Sequence, residues 1–326
     1  MKVIKFFAIT AMAAAMITSC SNEDELSQSN YPSDNIIRVT AGVNNAKTRA
    51  EGAGTPLENP LSLTVVNKNV PKYTYVDQEF SKTSGDWACS ETLLWQKSDA
   101  LVDIVAFAPA QQGKFNGVYA NGSIQPIAYS VADDQSTSSA NNDLLYYYAK
   151  DFNPGESLDK GKLKIQFNHA FCMIDINVTL GTEFNKPEVL KESPIVKVTL
   201  GGTKIAANVN VTNAASVVTI SETDAATDIT TTKGSFDKAA DPEANAKSHF
   251  SCIAIPQTVG ANTFKVSLMT AGKLYEWTSD KEITLQSGYR YTLNLSMGND
   301  VVLLKGGSIS ATPWTEITSD KPLETD

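Results

Sequence analysis

Residues 163–180 read LKIQFNHAFCMIDINVTL, and this stretch decides the fold class. Apolar side chains occupy every second position from Leu163 to Phe167 and again from Ile174 to Leu180. A period of two places alternate side chains on opposite faces of a β-strand, whereas an amphipathic helix needs apolar residues three and four positions apart. The stretch therefore predicts two consecutive, half-buried strands.

Short segments of the same kind recur along the chain and are separated by turn-rich stretches. No window beyond the first twenty residues keeps a helical period, so many short strands predict an all-β chain built from antiparallel β-sandwiches. Residues 133–142 and 221–247 are polar and are predicted to be surface loops. The other predicted strands are residues 36–43, 61–66, 73–76, 86–95, 101–108, 143–148, 195–200, 217–220, 250–255, 263–269, 274–277, 289–295, 301–304 and 309–317.

The length predicts two sandwiches in tandem. The chain has 326 residues, which exceeds one typical domain of about 100–200 residues. A turn-rich boundary, DFNPGE, lies at residues 151–156. We therefore expect an N-terminal sandwich at residues 36–152 and a C-terminal sandwich at residues 153–326 that ends in a strand pair.

The N-terminus predicts secretion of a lipoprotein. Two lysines precede an apolar run at residues 6–17, which is shorter than the ~20 residues of a membrane-spanning helix. The run ends in a lipobox, Ile17-Thr18-Ser19-Cys20, where small residues fit the signal peptidase and the thiol carries the lipid. Residues 1–19 are predicted to be the signal peptide. An ordinary signal peptide followed by an incidental cysteine is the alternative.

Cys20 is the predicted lipidation site. Each buried methylene contributes about 0.8 kcal/mol, so acyl chains such as palmitate would anchor the protein firmly. Residues 20–35, which begin Cys-Ser-Asn-Glu-Asp-Glu, are predicted to form an acidic tether. We expect no cofactor other than this covalent lipid.

Composition argues against several classes of function. The net charge of −9 disfavours nucleic acid and anionic lipid surfaces as partners. Beside Cys20 only Cys89, Cys172 and Cys252 remain, which is too few for a disulfide scaffold, and the last two lie in apolar, strand-like surroundings that favour burial. No metal-ligand cluster or catalytic arrangement is visible, and His169 is expected to be structural. The chain is therefore predicted not to be an enzyme.

A protease site follows the first predicted strand. Ile37, Val39, Ala41 and Val43 share one face of that strand, and the exposed loop after it contains Lys-Thr-Arg-Ala, residues 47–50. Cutting between Arg49 and Ala50 would release the strand and leave an apolar groove with an unpaired backbone edge. The alternative is that Arg49 is only a solvated loop residue.

The C-terminal segment could supply a strand for such a groove. Val301 and Leu303 lie before Gly306-Gly307, and Ile309 and Ala311 lie after this predicted glycine hinge. Pro313 cannot donate a ladder hydrogen bond, so that part should lie at a sheet edge or bulge. The alternative is that both strands complete their own domain and stay there.

Several short motifs follow one another in a definite order along the chain. They are the lipobox with its acidic tail, Lys47–Ala50, Asn142–Leu145, Phe167–Ala170, Ile174–Val178, Ile255–Gln257, Ser287–Tyr291, and the ending from Ile309 to Trp314. Their order resembles that of the fimbrillin family, the Mfa-like pilins of type V pili. The resemblance implies two transthyretin-like β-sandwich domains and export to the outer membrane through lipoprotein machinery. It also implies trimming by an arginine-specific protease at Arg49–Ala50 and assembly with other fimbrial subunits by donor-strand exchange, giving a cell-surface fimbrium.

Two other classes of function compete with the fimbrial one. A non-polymerising surface lipoprotein could bind glycan or another host ligand through exposed aromatic residues. A secreted hydrolase would also fit the export signal, but no catalytic constellation supports it. The candidate aromatic residues are Trp87, Trp95, Tyr146, Tyr147, Tyr148, Trp277 and Trp314.

Overall fold

The computed structural model describes residues 30–44, 55–186, 188–221, 223–299, 301–304 and 309–314. Eleven strands lie within these ranges up to and including the first part of the alternating stretch, which begins at Leu163. They are β1 (Val39–Val43), β2 (Thr55–Pro56), β3 (Leu61–Val66), β4 (Tyr75–Thr83), β5 (Asp86–Cys89), β6 (Val102–Ala108), β7 (Tyr119–Ala120), β8 (Ser123–Ile124), β9 (Ile127–Ser130), β10 (Leu145–Phe152) and β11 (Leu163–His169).

Fourteen more strands follow in the described residues. They are β12 (Cys172–Leu180), β13 (Ile195–Gly201), β14 (Ala206–Val209), β15 (Val218–Ile220), β16 (Ile229–Thr230), β17 (Thr232–Asp237), β18 (Lys247–Ala254), β19 (Thr258–Val259), β20 (Lys265–Thr270), β21 (Leu274–Thr278), β22 (Ile283–Thr284), β23 (Tyr289–Met297), β24 (Val302–Leu304) and β25 (Ser310–Pro313). In this part of the chain, helical structure is limited to α1 (Pro154–Ser157) and four 3₁₀ turns at Pro71–Tyr73, Asn116–Val118, Ala140–Asn142 and Thr182–Asn185. The all-β prediction is confirmed.

Two large sheets dominate the molecule. The first has eight strands in the order β2-β1-β11-β10-β6-β3-β4-β5. The second has the order β17-β18-β12-β23-β24, and β25 also pairs with β23. Smaller sheets have the orders β16-β13-β20-β21, β15-β14-β9, β19-β22 and β7-β8.

Two apolar cores lie beneath these sheets. The N-terminal core is formed by the buried faces of β1, β3, β6 and β11 together with Phe80, Leu93 and Trp95. The C-terminal core is formed mainly by the buried faces of β12, β13, β18, β20 and β23. β6 contributes to both, since Ile104 faces the N-terminal core and Phe107 the C-terminal one. Burial on both faces explains why this strand is apolar without alternation.

Two of the strand pairings are parallel and the others are antiparallel. β1 runs parallel to β11, and β12 runs parallel to β23. Parallel neighbours require a long connection between them, and in both cases more than a hundred residues of sequence separate the partners. Parallel pairing is a feature that the period-two pattern does not encode.

Part of the predicted surface loop at residues 221–247 is strand, which corrects that expectation. β16 and β17 lie inside it, and β17 pairs with β18. Ile229 is fully buried, but the side chains of β17 are mostly exposed and are of the Thr, Lys, Gly and Ser types. An edge strand of this kind carries no apolar alternation for a sequence pattern to reveal.

The division into domains at residues 152 and 153 stays a prediction. Three strand pairings reach across that position. β11 joins β10 and β1 in the eight-stranded sheet, and β9 joins β14 in the three-stranded sheet. Strands of the N-terminal half therefore pair with strands of the C-terminal half near their junction.

Candidate functional site

The first strand lies inside a sheet. Each residue of β1, from Val39 to Val43, pairs with its counterpart in β11, from Leu163 to Phe167, and the end of β1 also pairs with β2. Just before the strand, the Ile37 amide donates to the Leu93 carbonyl over 2.9 Å. Regular pairing with β11 thus begins three residues later than the predicted start at residue 36, where a single bridge joins Ile36 to Leu94.

One face of this leading segment, residues 36–43, closes the N-terminal core. Ile37, Val39 and Val43 are buried, and Ala41 is half-buried against the same core. The segment is therefore a wall of the core, and its loss would expose β11 along one edge and the apolar side chains beneath.

The C-terminal strands β24 and β25 run in the same direction along one neighbour. Both are antiparallel to β23: Val302 pairs with Met297, and Pro313 pairs with Tyr289 at the far end. They therefore form two successive parts of one edge. The predicted hinge, Gly306-Gly307, lies outside the described residues. Pro313 stands at this edge, where its missing amide hydrogen leaves no gap in a ladder.

The side chains of β24 have a definite inward face. Val302 is buried, whereas Val301 and Leu303 are 51% and 59% exposed. In and beside β25, Ala311 is exposed and Ile309 is half-buried. The residues predicted to fill a neighbour's groove therefore mostly face solvent in this structure.

A buried aromatic cluster that no sequence motif indicates follows β25. Trp314 stacks on His169 with ring centroids 3.8 Å apart and planes 11° apart. His169 Nδ1 lies 2.7 Å from Asp143 Oδ2 inside the protein. The three residues are far apart in sequence, so no local pattern could have indicated their contact.

A cleft of about 480 Å³ opens beside this cluster. Val43 from the end of β1 and Trp314 from the C-terminal segment both line it, as do Asp143 and Arg290. Arg290 is held by Asp175, with Nε and Oδ2 2.9 Å apart. We call this space the junction cleft because it lies where the two large sheets meet.

The predicted lipidation site, Cys20, and the predicted processing site, Arg49 and Ala50, lie outside the described residues. In the sequence, Arg49 and Ala50 fall between β1 and β2. Their roles remain predictions from the sequence.

The three cysteines within the described ranges are free thiols. Cys172 and Cys252 are fully buried, and this burial raises the pKa of both thiols far above the ordinary value. Cys89 on β5 is half-exposed. Buried, protonated thiols are inert, so only Cys89 of these three is placed to react.

The aromatic residues considered for glycan binding are packed against the protein. Trp95 is buried and stacks on Phe152 at 6.0 Å. Trp87, Trp277 and the three tyrosines 146–148 are half-buried. Trp95 and Trp314, which are both buried, therefore present no open ring face to a sugar.

The described residues contain neither a metal-ligand cluster nor a helix suited to span a membrane. No group of three or more His, Cys, Asp or Glu side chains in that part of the chain is placed to hold a metal ion. None of its helices has the length and apolar character needed to cross a membrane.

Solved structures with this fold include three from Bacteroides. A protein of B. ovatus assigned to cell adhesion has a TM-score of 0.60 at 16% identity, covering 86% of this chain and 98% of its own. A similarly assigned protein of B. uniformis has a TM-score of 0.56 at 14% identity, covering 87% and 100%. A fimbrial protein of B. vulgatus has a TM-score of 0.52 at 15% identity, covering 85% and 99%. At such identities the likeness shows the fold.

Sequence comparison identifies the family. No curated protein matches the chain. A family model described as fimbrillin-like matches residues 40–314, which is most of the sequence. The resemblance carried by the short motifs is therefore confirmed, and the chain belongs to the fimbrillin-like family of cell-surface fimbrial and adhesive subunits.

Proposed function

We propose that this protein is a fimbrial subunit that assembles by donor-strand exchange after losing its leading segment. Export would proceed as a lipoprotein acylated at Cys20 and held in the outer membrane. An arginine-specific protease would then cut between Arg49 and Ala50. Lipoprotein export machinery, this protease and other fimbrial subunits are the partners that the proposal requires.

The observation that carries the proposal is the position of β1. It fills a slot between β2 and β11, and Ile37, Val39 and Val43 are buried there. An incoming strand would regain ladder hydrogen bonds of about 1 kcal/mol each and aliphatic burial of about 1.5–3 kcal/mol per side chain. A vacated slot of this kind therefore favours capture of another strand.

The C-terminal strands are the proposed donor. They pair with β23 alone among the described strands, and most of their side chains are exposed. Leaving such an edge requires breaking one ladder and uncovering few apolar groups. In the slot left by β1 of a neighbouring subunit, the donor would exchange its pairing with β23 for a pairing with β11.

An arginine-specific protease tests the proposal. Purified chain without its signal peptide should lose the segment up to Arg49 and form ladders that survive SDS at room temperature. Arg49→Ala should abolish both the cut and the ladders, while Lys47→Ala is the matched control that leaves them unchanged. A clean cut at Arg49 that yields only monomer in native mass spectrometry would contradict donor-strand exchange.

The same experiment addresses the alternative of a non-polymerising surface lipoprotein that binds glycan. That alternative predicts no oligomer after the cut, together with tryptophan fluorescence that changes on adding polysaccharide. The packed aromatic residues described above do not favour it.

A further inference from the structure

Among residues 309–314, which are the last described residues, a single side chain is buried. All four residues of β25, from Ser310 to Pro313, are exposed, but Trp314 is only 6% exposed. The Trp314 amide donates to the Gly288 carbonyl over 2.7 Å. Trp314 is therefore the apolar anchor of this part of the chain.

Part of the surface that receives Trp314 is built by the eight-stranded sheet, and the rest belongs to the C-terminal core. The Trp314 ring lies flat on His169, the last residue of β11. The carboxylate of Asp143, just before β10, holds the His169 ring from the side at 2.7 Å. The anchor of the C-terminal segment thus depends on the far end of β11.

β11 is also the strand that pairs with the leading segment. The Asn44 amide donates to the Phe167 carbonyl over 2.8 Å, and Asn44 Nδ2 donates to Asn168 Oδ1 over 2.8 Å. These contacts lie directly beside His169. Val43 and Trp314 also line the same junction cleft. The end of β1 and the anchor therefore share both a strand and a cavity wall.

We propose that the leading segment keeps Trp314 on His169, so that loss of β1 releases the C-terminal strands of the same subunit. Without β1, one edge of β11 loses its strand neighbour and the cleft opens to water where Val43 stood. The biological meaning rests on the proposed function: an uncut subunit would retain its donor strand, and proteolysis would create the groove and free the donor in one step.

Hydrogen exchange, read peptide by peptide on the uncut chain, tests this linkage. Val43→Ala and Val39→Ala are a matched pair, because both valines are buried in β1 but only Val43 lines the junction cleft. Val43→Ala should raise exchange of residues 309–314 about tenfold, within the 5–150-fold range of coupled sites. Val39→Ala should change it less than about twofold. Equal effects from the two variants, or none from Val43→Ala, would overturn the proposal.

Linkage must also act in the opposite direction. Trp314→Ala should raise exchange of residues 39–44, whereas Thr312→Ala, an exposed change on the same strand, should not. Trp314→Phe keeps an aromatic ring on His169 and should restore most of the protection. If Trp314→Ala loosens residues 309–314 alone, Trp314 is a local anchor and the linkage is wrong.

The two proposals fail separately. SDS-resistant ladders after cleavage, together with identical hydrogen exchange of residues 309–314 in Val43→Ala and Val39→Ala, would contradict the linkage and support donor-strand exchange. If only Val43→Ala raises this hydrogen exchange and no ladders form, the linkage is supported and donor-strand exchange is contradicted.

Discussion

The strands at the two ends of the described structure differ in how extensively they are paired and buried. β1 has a neighbour on each side, β2 and β11, and its buried face closes the N-terminal core. β24 and β25 have one paired neighbour among the described strands, β23, and Val301, Leu303 and Ala311 are exposed. A strand whose loss opens a core creates a binding site, whereas a strand on an edge can leave with little disruption. Under the proposed function, this asymmetry assigns the acceptor to one end of the chain and the donor to the other.

A buried charge should reveal the difference most strongly. Val39→Asp would bury an uncompensated carboxylate against the N-terminal core and should lower the free energy of unfolding by about 3–5 kcal/mol. Leu303→Asp introduces the same side chain at a position 59% exposed and should stay within about 0.5 kcal/mol of wild type. Urea unfolding followed by circular dichroism measures both. Similar losses at the two positions would break the comparison.

A smaller loss of stability should show which side chains in and beside β24 are buried against the protein. Val302→Ala removes two buried methyl groups and should cost about 1–2 kcal/mol. Val301→Ala is its exposed neighbour and should cost less than about 0.5 kcal/mol. The same unfolding measurement distinguishes the inward face seen here from one formed by Val301 and Leu303, for which the order of effects would be inverted.

Thiol labelling should show that the C-terminal core stays closed when the anchor is weakened. With iodoacetamide at pH 8, Cys89 should react while Cys172 and Cys252 stay unmodified, because burial raises the pKa of both thiols and excludes the reagent. The pattern should be the same in wild type and Trp314→Ala, as read by mass spectrometry of each cysteine peptide. Labelling of Cys172 in the variant would mean that Trp314 closes the core itself.

The smallest expected effect is one of pH on the leading segment. Arg38 bonds Asp34 through Nη2 and Oδ2 at 2.6 Å, and this hydrogen bond lowers the pKa of the Asp34 carboxyl to about 2. Since the unfolded value is about 3.9, the ion pair contributes fully above pH ~4 and its contribution is lost as pH falls through about 2. Residues 301–304 and 309–314 carry no charged side chain of their own and so have no corresponding ion pair.

An NMR titration of the Asp34 carboxyl checks this directly. Arg38→Gln should return its pKa towards the ordinary value, whereas Lys97→Gln, a change in an ion pair elsewhere on the surface, should leave it low. An unchanged value in Arg38→Gln would show that the pair has no influence on the segment.

Alternation was the reliable guide to this fold. β12 alternates buried and half-buried residues along its whole length, as its sequence predicted. The sequence VVLL at residues 301–304 is apolar at every position, so alternation cannot indicate which of these side chains face inward. Only the pairing of Val302 with Met297 settles which side chains face inward.

The contacts that connect the two ends of the chain could not be predicted. The parallel pairing of β1 with β11 and the stack of Trp314 on His169 depend on tertiary arrangement. Neither leaves a local signature, since each residue looks like an ordinary strand or core position. The turn-rich stretch at residues 151–156 predicts a domain boundary, but it gives no sign that β11, which follows it, pairs with β10 of the first sheet.

The long separation between β1 and β11 has a consequence for folding. Asn44 and Asn168, which bond across the end of this pair, are 124 residues apart in sequence. Such high contact order slows folding, because the entropy of closing the loop is lost before the pairing rewards it. Until the leading segment docks, the bare edge of β11 is a template for aggregation. The leading segment, which proteolysis is proposed to remove, would thus first protect the folding chain from aggregation by covering this edge.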